Sequence, residues 1–194
     1  MMQRRAPVYV VLIHYPIKNA LGEEITTAIT NMDIHDGGRL AATYDIQRYY
    51  LTTPIEEQRS LVYRIRNHWV DGPGCKKNPL RRKALERVEH AFDLREVVDQ
   101  ITQQHDIRPL LIGTSAKVQV HQQIDYAALR NKIDHQTQPV ALLFGTGWGI
   151  SSKITPPIDL FLPPIRGITD YNHLSVRAAM AITIDRLLSY TETA

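Results

Sequence analysis

The chain has 194 residues, 43% of them hydrophobic and 22% charged, with 23 Lys and Arg against 20 Asp and Glu. That balance excludes a disordered or low-complexity chain and predicts one globular domain with a core of its own. A formal charge of +3 is too small to name a partner, and the single cysteine, Cys75, excludes an internal disulfide and fits a reducing cytoplasm.

The chain opens with basic residues and then the apolar run 8–13. The run stops at His14 with no small-residue cleavage site beyond it, so residues 7–13 predict a buried first strand rather than a signal peptide. No stretch reaches the ~18 apolar residues of a membrane helix, and no membrane partner is expected. A polar segment covers 14–24. Thr30-Asn31-Met32-Asp33 predicts the cap of a helix that continues to about residue 44. Residues 48–53 read as a strand ended by Pro54, and 55–69 as a helix with Leu61, Val62, Ile65 and Trp69 on one face. Asp71-Gly72-Pro73-Gly74 breaks the pattern. The densest basic run follows, so a basic loop is expected at about 71–84. Residues 95–104 predict a helix, 108–114 a second buried strand, 126–134 a short helix and 140–144 a third buried strand. A fourth strand at 159–164 and a long amphipathic helix at 173–189 complete the pattern.

Continuously apolar strands alternating with helices predict an α/β domain, a mainly parallel sheet with helices on both faces. Ligands bind such sheets outside the carboxyl ends of the strands. Three turns fall there, at 113–115, 145–147 and 163–167. A dinucleotide fingerprint is excluded, because Gly145, Gly147 and Gly149 are wrongly spaced and come late. The P-loop and His-Glu-x-x-His patterns are absent, and the histidines lack metal spacing, so no metal is expected. His68, His90, His105, His121 and His135 read as surface residues.

Three stretches together resemble the SPOUT RNA methyltransferases. They are Leu142-Leu143-Phe144-Gly145-Thr146-Gly147-Trp148-Gly149-Ile150, Leu162-Pro163-Pro164-Ile165-Arg166-Gly167 and Tyr171-Asn172-His173-Leu174-Ser175-Val176-Arg177-Ala178-Ala179. The likeness extends over nearly the whole length, to a less-studied bacterial branch. It implies one domain over 1–194 with a C-terminal trefoil knot, loops that hold S-adenosylmethionine and release S-adenosylhomocysteine, and a homodimer that completes the site. By that resemblance the cofactor residues are Thr114 in the first turn, and Leu143, Phe144, Gly145, Thr146 and Gly147 in the second. Pro163, Pro164, Ile165 and Gly167 follow in the third, then Asn172, His173, Leu174 and Ser175, with Asn172 at or near the cap of the last helix. Glycine permits close backbone approach and proline stiffens a turn, which suits gripping a nucleoside with peptide groups.

The front of the chain is similar to ribose-methylating members of the family over residues 33–46. Asp33 stands in the position of an Asn, Arg39 in that of the reaction-centre Arg, and Tyr44 in that of a Phe. Arg39 inherits the catalytic role by this likeness, and His35 and Asp36 are adjacent candidates for proton transfer. Lys76, Lys77, Arg81, Arg82 and Lys83 are the candidates for contacting RNA phosphates, with Arg177 beside them and Tyr49, Tyr50 and Trp69 as stacking faces. The expectation is an S-adenosylmethionine-dependent methyltransferase of tRNA or rRNA, with the ribose 2′-hydroxyl preferred to a base nitrogen because of Arg39. Two other readings stay open: a non-catalytic RNA-binding or regulatory protein on the same fold, and an unrelated α/β enzyme that binds a nucleotide or sugar phosphate.

Overall fold

The computed structural model describes residues 5–117 and 122–189. Its elements run β1 (Val8–Ile13), β2 (Ile17–Lys18), β3 (Glu24–Ile25), α1 (Asn31–Thr43), β4 (Arg48–Thr52), α2 (Glu56–Val70), α3 (Pro79–Leu85) and β5 (Val88–Ala91). The second half adds α4 (Leu94–His105), β6 (Leu110–Gly113), α5 (Tyr126–His135), β7 (Val140–Gly145), β8 (Leu160–Phe161) and α6 (Val176–Leu188). Six strands form one sheet in the order β5-β4-β1-β7-β6-β8, and every neighbouring pair is parallel. All six therefore end at the same edge. The chain starts in the middle, steps outward through β4 and β5, and then builds the other half with β7 inserted beside β1.

Every residue of β1 is buried, as expected for a central strand covered on both sides. Its side chains alternate between two cores. Val8, Val10 and Leu12 join Tyr49, Leu142 and Phe144 beneath residues of α1, α2, α5 and α6. Tyr9, Val11 and Ile13 join Leu143 beneath Leu94, Val97 and Ile101 of α4, with Ile150, Ile154 and Ile158 completing that face. Helices do cover both faces, but the second face is closed largely by one helix and the stretch after β7.

The capping prediction for α1 holds. Thr30 accepts from the Asp33 N–H, and the Asp33 carboxylate accepts from the Thr30 N–H. Within α1, a Cβ on Gly37 would lie 2.1 Å from the Tyr49 ring, so only glycine lets the helix press this closely on β4.

Several expectations need correction. Tyr49 and Tyr50 are 0% and 4% exposed in β4, so neither offers a stacking face to RNA. The second half of the expected basic loop is α3, because the Asn78 side chain accepts from the Arg81 N–H at 2.9 Å and Pro79 takes the first helical position. The last helix begins at Val176 with Ser175 as its cap, three residues later than the periodicity suggests, and Asn172 is not the cap. Of the histidines read as surface residues, His68 and His135 are exposed and His90 is half-buried in β5. His105 is half-buried and shares a 2.8 Å hydrogen bond with the Tyr9 hydroxyl. His121 lies outside the described residues.

Candidate cofactor and RNA site

The stretch after β7 is closed on itself and on β2. The Trp148 N–H donates to the Lys18 carbonyl at 3.0 Å, and the Lys18 N–H donates to the Gly149 carbonyl at 2.9 Å. The Gly149 N–H donates to Thr146, and the Ser151 N–H to Pro16, both at 3.0 Å. Gly147 has φ of +54°, a conformation that disfavours any residue with a Cβ. A Cβ on Gly145 would stand 2.7 Å from Ile150 Cγ1. The glycine spacing is thus accounted for by the turn's own folding.

Behind this turn lies a residue that the sequence reading passed over. His14, at the end of β1, is 0% exposed. Its Nδ1 shares a 3.0 Å hydrogen bond with Thr27 Oγ1, and Thr27 Oγ1 in turn shares a short one with Thr146 Oγ1. Its Nε2 is buried with no hydrogen-bond partner among the described residues. Burial pushes the imidazole down to about 4, against the opposing pull of the Asp33 charge and of a hydrogen bond to the Thr27 backbone. The available signal was positional: a histidine directly abutting a fully apolar strand belongs to the strand's burial.

The other two turns are tied to β7 and to each other. The Thr114 N–H and hydroxyl both donate to the Leu143 carbonyl, at 3.1 and 2.9 Å. The Leu162 N–H donates to the Gly113 carbonyl at 3.0 Å, and the Asn172 side-chain amide donates to the Ala116 carbonyl at 2.9 Å. Leu143 and Phe144 are fully buried, on opposite faces of the sheet. Pro163, Pro164 and Ile165 are half-buried, and Gly167, His173, Leu174 and Ser175 are exposed. The His173 ring lies edge-on to Tyr171, 5.5 Å between centroids. Among the described residues, no backbone–backbone hydrogen bond involves 163–174. A Cβ on Gly167 would meet nothing within 4 Å. Among the described residues, the peptide groups of this stretch, beside the turn after β6, thus have no backbone partner.

The catalytic and RNA candidates lie on α1, α3 and the start of α6. Arg39 is exposed and makes no ion pair among the described residues. His35 lies one turn away on the same helical face, edge-on to Trp69 with 6.4 Å between ring centroids. Burial lowers its pKa, and the charges of Arg81 and Arg39 push the same way. Arg177 is committed to two carboxylates: its Nη1 lies 3.0 Å from Asp33 Oδ1 and its Nε 3.4 Å from Asp36 Oδ2. Asp33 thus caps α1 and holds the start of α6.

Between α1 and α3 is a groove of about 400 Å³ whose lining includes Arg39, Thr43, Asn78, Leu80, Arg81 and Lys83. The structure brings these three cations to one place. The Arg81 guanidinium lies over the Trp69 ring, 4.6 Å from its centroid. Lys76 and Lys77 are exposed outside the groove, and Arg82 pairs with Glu86 at 3.0 Å. Among the described residues, no group of His, Cys, Asp and Glu could hold a metal ion, and no helix is long and apolar enough to cross a membrane.

Residues 7–189 match the family described as SAM-dependent RNA methyltransferase. An uncharacterized protein of Aquifex aeolicus is 41% identical over 182 residues, covering 94% of this chain and 88% of that protein. The tRNA (guanine-N(1)-)-methyltransferase of Oleidesulfovibrio alaskensis is 40% identical over 181 residues. That match covers 93% of this chain but 42% of the relative, so the chain spans less than half of it. The solved SpoU methyltransferase AviRb from Streptomyces viridochromogenes has the same fold, with a TM-score of 0.59 at 14% identity, over 95% of this chain and 60% of that one. The parallel sheet, the turns gathered at its carboxyl edge and the match along almost the entire sequence agree, and the chain belongs to the SAM-dependent RNA methyltransferase family.

Proposed function

We propose that the chain methylates tRNA or rRNA at a ribose 2′-hydroxyl, as a cytoplasmic homodimer whose C-terminal region is knotted. The observation that carries this reading is Arg39: a permanently charged guanidinium, exposed, free of ion pairs among the described residues, and set in a basic groove. The guanine-N1 activity named for the relatives belongs to proteins more than twice the length of the matched segment, and it favours a base nitrogen as the second reading.

The residues present fit the cofactor. The uncommitted peptide groups of 163–174 suit the many donors and acceptors of an adenosine and an amino acid, and the half-buried Pro163, Pro164 and Ile165 suit its apolar faces. Thr114, Leu143, Phe144, Gly145, Thr146 and Gly147 form the fixed wall. Asn172, tied to Ala116, together with Gly167, His173, Leu174 and Ser175, forms the wall that orders around the ligand. When bound, S-adenosylmethionine supplies an electrophilic methyl group. Arg39 holds the acceptor's phosphate and favours the charge that develops on its hydroxyl oxygen. It cannot serve as the base. His35, kept neutral by burial and by two neighbouring guanidinium charges, accepts the hydroxyl proton. Asp36, through Arg177, fixes α1 against α6.

Nucleoside mass spectrometry of tRNA and rRNA incubated with the chain and isotope-labelled cofactor tests this. A labelled 2′-O-methylnucleoside is expected, and a labelled methylated base would replace the first reading by the second. Arg39→Ala should keep cofactor affinity in calorimetry while turnover falls roughly 10²–10³-fold. Normal turnover at saturating cofactor would remove Arg39 from the chemistry.

A further inference from the structure

The groove between α1 and α3 has features that methyl transfer alone does not require. Its cations come from two elements, Arg39 from α1 and Arg81 and Lys83 from α3, and among the described residues no carboxylate lines it. Arg5, Arg82, Arg87, Arg108 and Arg177 each pair with an Asp or Glu; Arg39, Arg81 and Lys83 form no ion pair among the described residues, as is also true of Arg59, Arg64 and Arg95, but here three such cations line one groove. The Arg81 guanidinium lies over the Trp69 ring, and its Nε is buried with no hydrogen-bond partner among the described residues. Contact with the ring face restrains the guanidinium without using its N–H groups, so the donor fork is positioned in advance. Leu80, 81% exposed, adds an apolar wall beside these charges, and Ala42 and Ala84 keep the lining low.

We propose that this groove binds one phosphodiester of the RNA backbone, directly beside the nucleotide presented to Arg39, with Arg81 as its oriented donor and Lys83 as a second cation. The inference rests on the RNA-methyltransferase reading given above and assigns a substrate subsite within it. Three cations without a counter-charge call for an anion, and a planar fork matches phosphate oxygens in pairs. Leu80 and the open side of the groove suit the sugar that adjoins the phosphate. Such a contact positions the RNA without reading its sequence, so the selection of the nucleotide belongs elsewhere.

The test is fluorescence anisotropy of the full chain with an unmodified tRNA transcript over a series of KCl concentrations, alongside calorimetry with S-adenosylhomocysteine. Arg81→Ala and Lys83→Glu should each weaken RNA binding about tenfold and reduce the slope of log affinity against log salt by about 1. Heats with S-adenosylhomocysteine should not change. Arg81→Lys should stay weak, because it keeps the charge but loses the stacked fork. Lys132→Glu on α5, with the same charge change as Lys83→Glu, should move neither quantity. Lys83 is exposed, so its variant carries the test if Arg81→Ala fails to fold. Competition by inorganic phosphate at constant ionic strength separates a free anion from a backbone phosphate. Full displacement of RNA by low phosphate would overturn the assignment to RNA. Wild-type slopes in both groove variants, or equal losses with Lys132→Glu, would overturn the groove itself. A wild-type chain that binds cofactor but no RNA sinks this proposal and leaves cofactor binding intact. One that binds RNA through the groove but no cofactor sinks the catalytic reading instead.

Discussion

Two stretches leave the same edge of the sheet and behave oppositely. Residues 145–150, after β7, are knitted to β2 by backbone hydrogen bonds and to Thr27 by the Thr146 hydroxyl. Residues 163–174, after β8, make no backbone–backbone hydrogen bond among the described residues, and the Asn172 amide bonds to the Ala116 carbonyl. Both are rich in glycine or proline, and both follow a strand. The difference teaches that a glycine turn at a ligand-binding edge can be a fixed wall, whereas the part that still needs partners is the part able to respond to a ligand. Glycine is forced by geometry at 147 and is sterically free at 167.

The largest expected effect tests what holds the closed stretch in place. His14, held down at about 4 by burial, binds fewer protons when folded than when unfolded. Its neutral form therefore stabilises the fold fully above its ordinary pKa of about 6.5, and that contribution is lost as pH falls from there through about 4. The loss is on the order of 3 kcal/mol. Urea unfolding between pH 7.5 and 4 should show it in the wild type, and His14→Asn should flatten the dependence. An unchanged pH slope in the variant would mean that His14 is not the titrating group.

Gly147→Ala is next. It forces a Cβ onto a residue at φ +54° and 3.0 Å from Ile17 Cγ2, and should cost about 1–2 kcal/mol in thermal or chemical unfolding. A neutral result would show that the stretch after β7 is looser than its hydrogen bonds imply. Asn172→Ala cuts the link from the open stretch to Ala116 and should weaken S-adenosylhomocysteine by about 0.5–1.5 kcal/mol in calorimetry with little change in melting temperature. Gly167→Ala should alter stability by less than about 0.5 kcal/mol, because the added methyl meets nothing. A clear fall in melting temperature for Gly167→Ala would erase the contrast between the two stretches.

The sequence made the interior of the sheet legible and its rim less so. The runs that became β1, β6 and β7 are short continuous apolar stretches rich in branched residues, the pattern of a strand buried on both faces. The edge strand β5, Val88-Glu89-His90-Ala91, has too few apolar residues to stand out, and β2 and β3 are two residues each. The basic run conceals α3, because Gly72, Pro73 and Gly74 just before it read as loop, although Asn78-Pro79 is a helix start. At the candidate site, the three turns were visible as composition, and Arg39 as a position in a resemblance. What was not visible is pairing across the chain. Nothing local in Arg177 announces that Asp33 and Asp36 will hold it, and nothing in Arg81 announces the Trp69 ring beneath it. Likewise His14 looks like the end of a strand until Thr27 and Thr146 are brought against it.

Amide hydrogen exchange with and without saturating S-adenosylhomocysteine tests the account most directly. Exchange should slow strongly in 163–174 and in the turn after β6, and only slightly in 145–150, where the amides of Trp148 and Gly149 are already bonded. Saturated protein that shows no slowing in 163–174, or slowing confined to 145–150, would contradict the assignment of the open stretch to the cofactor.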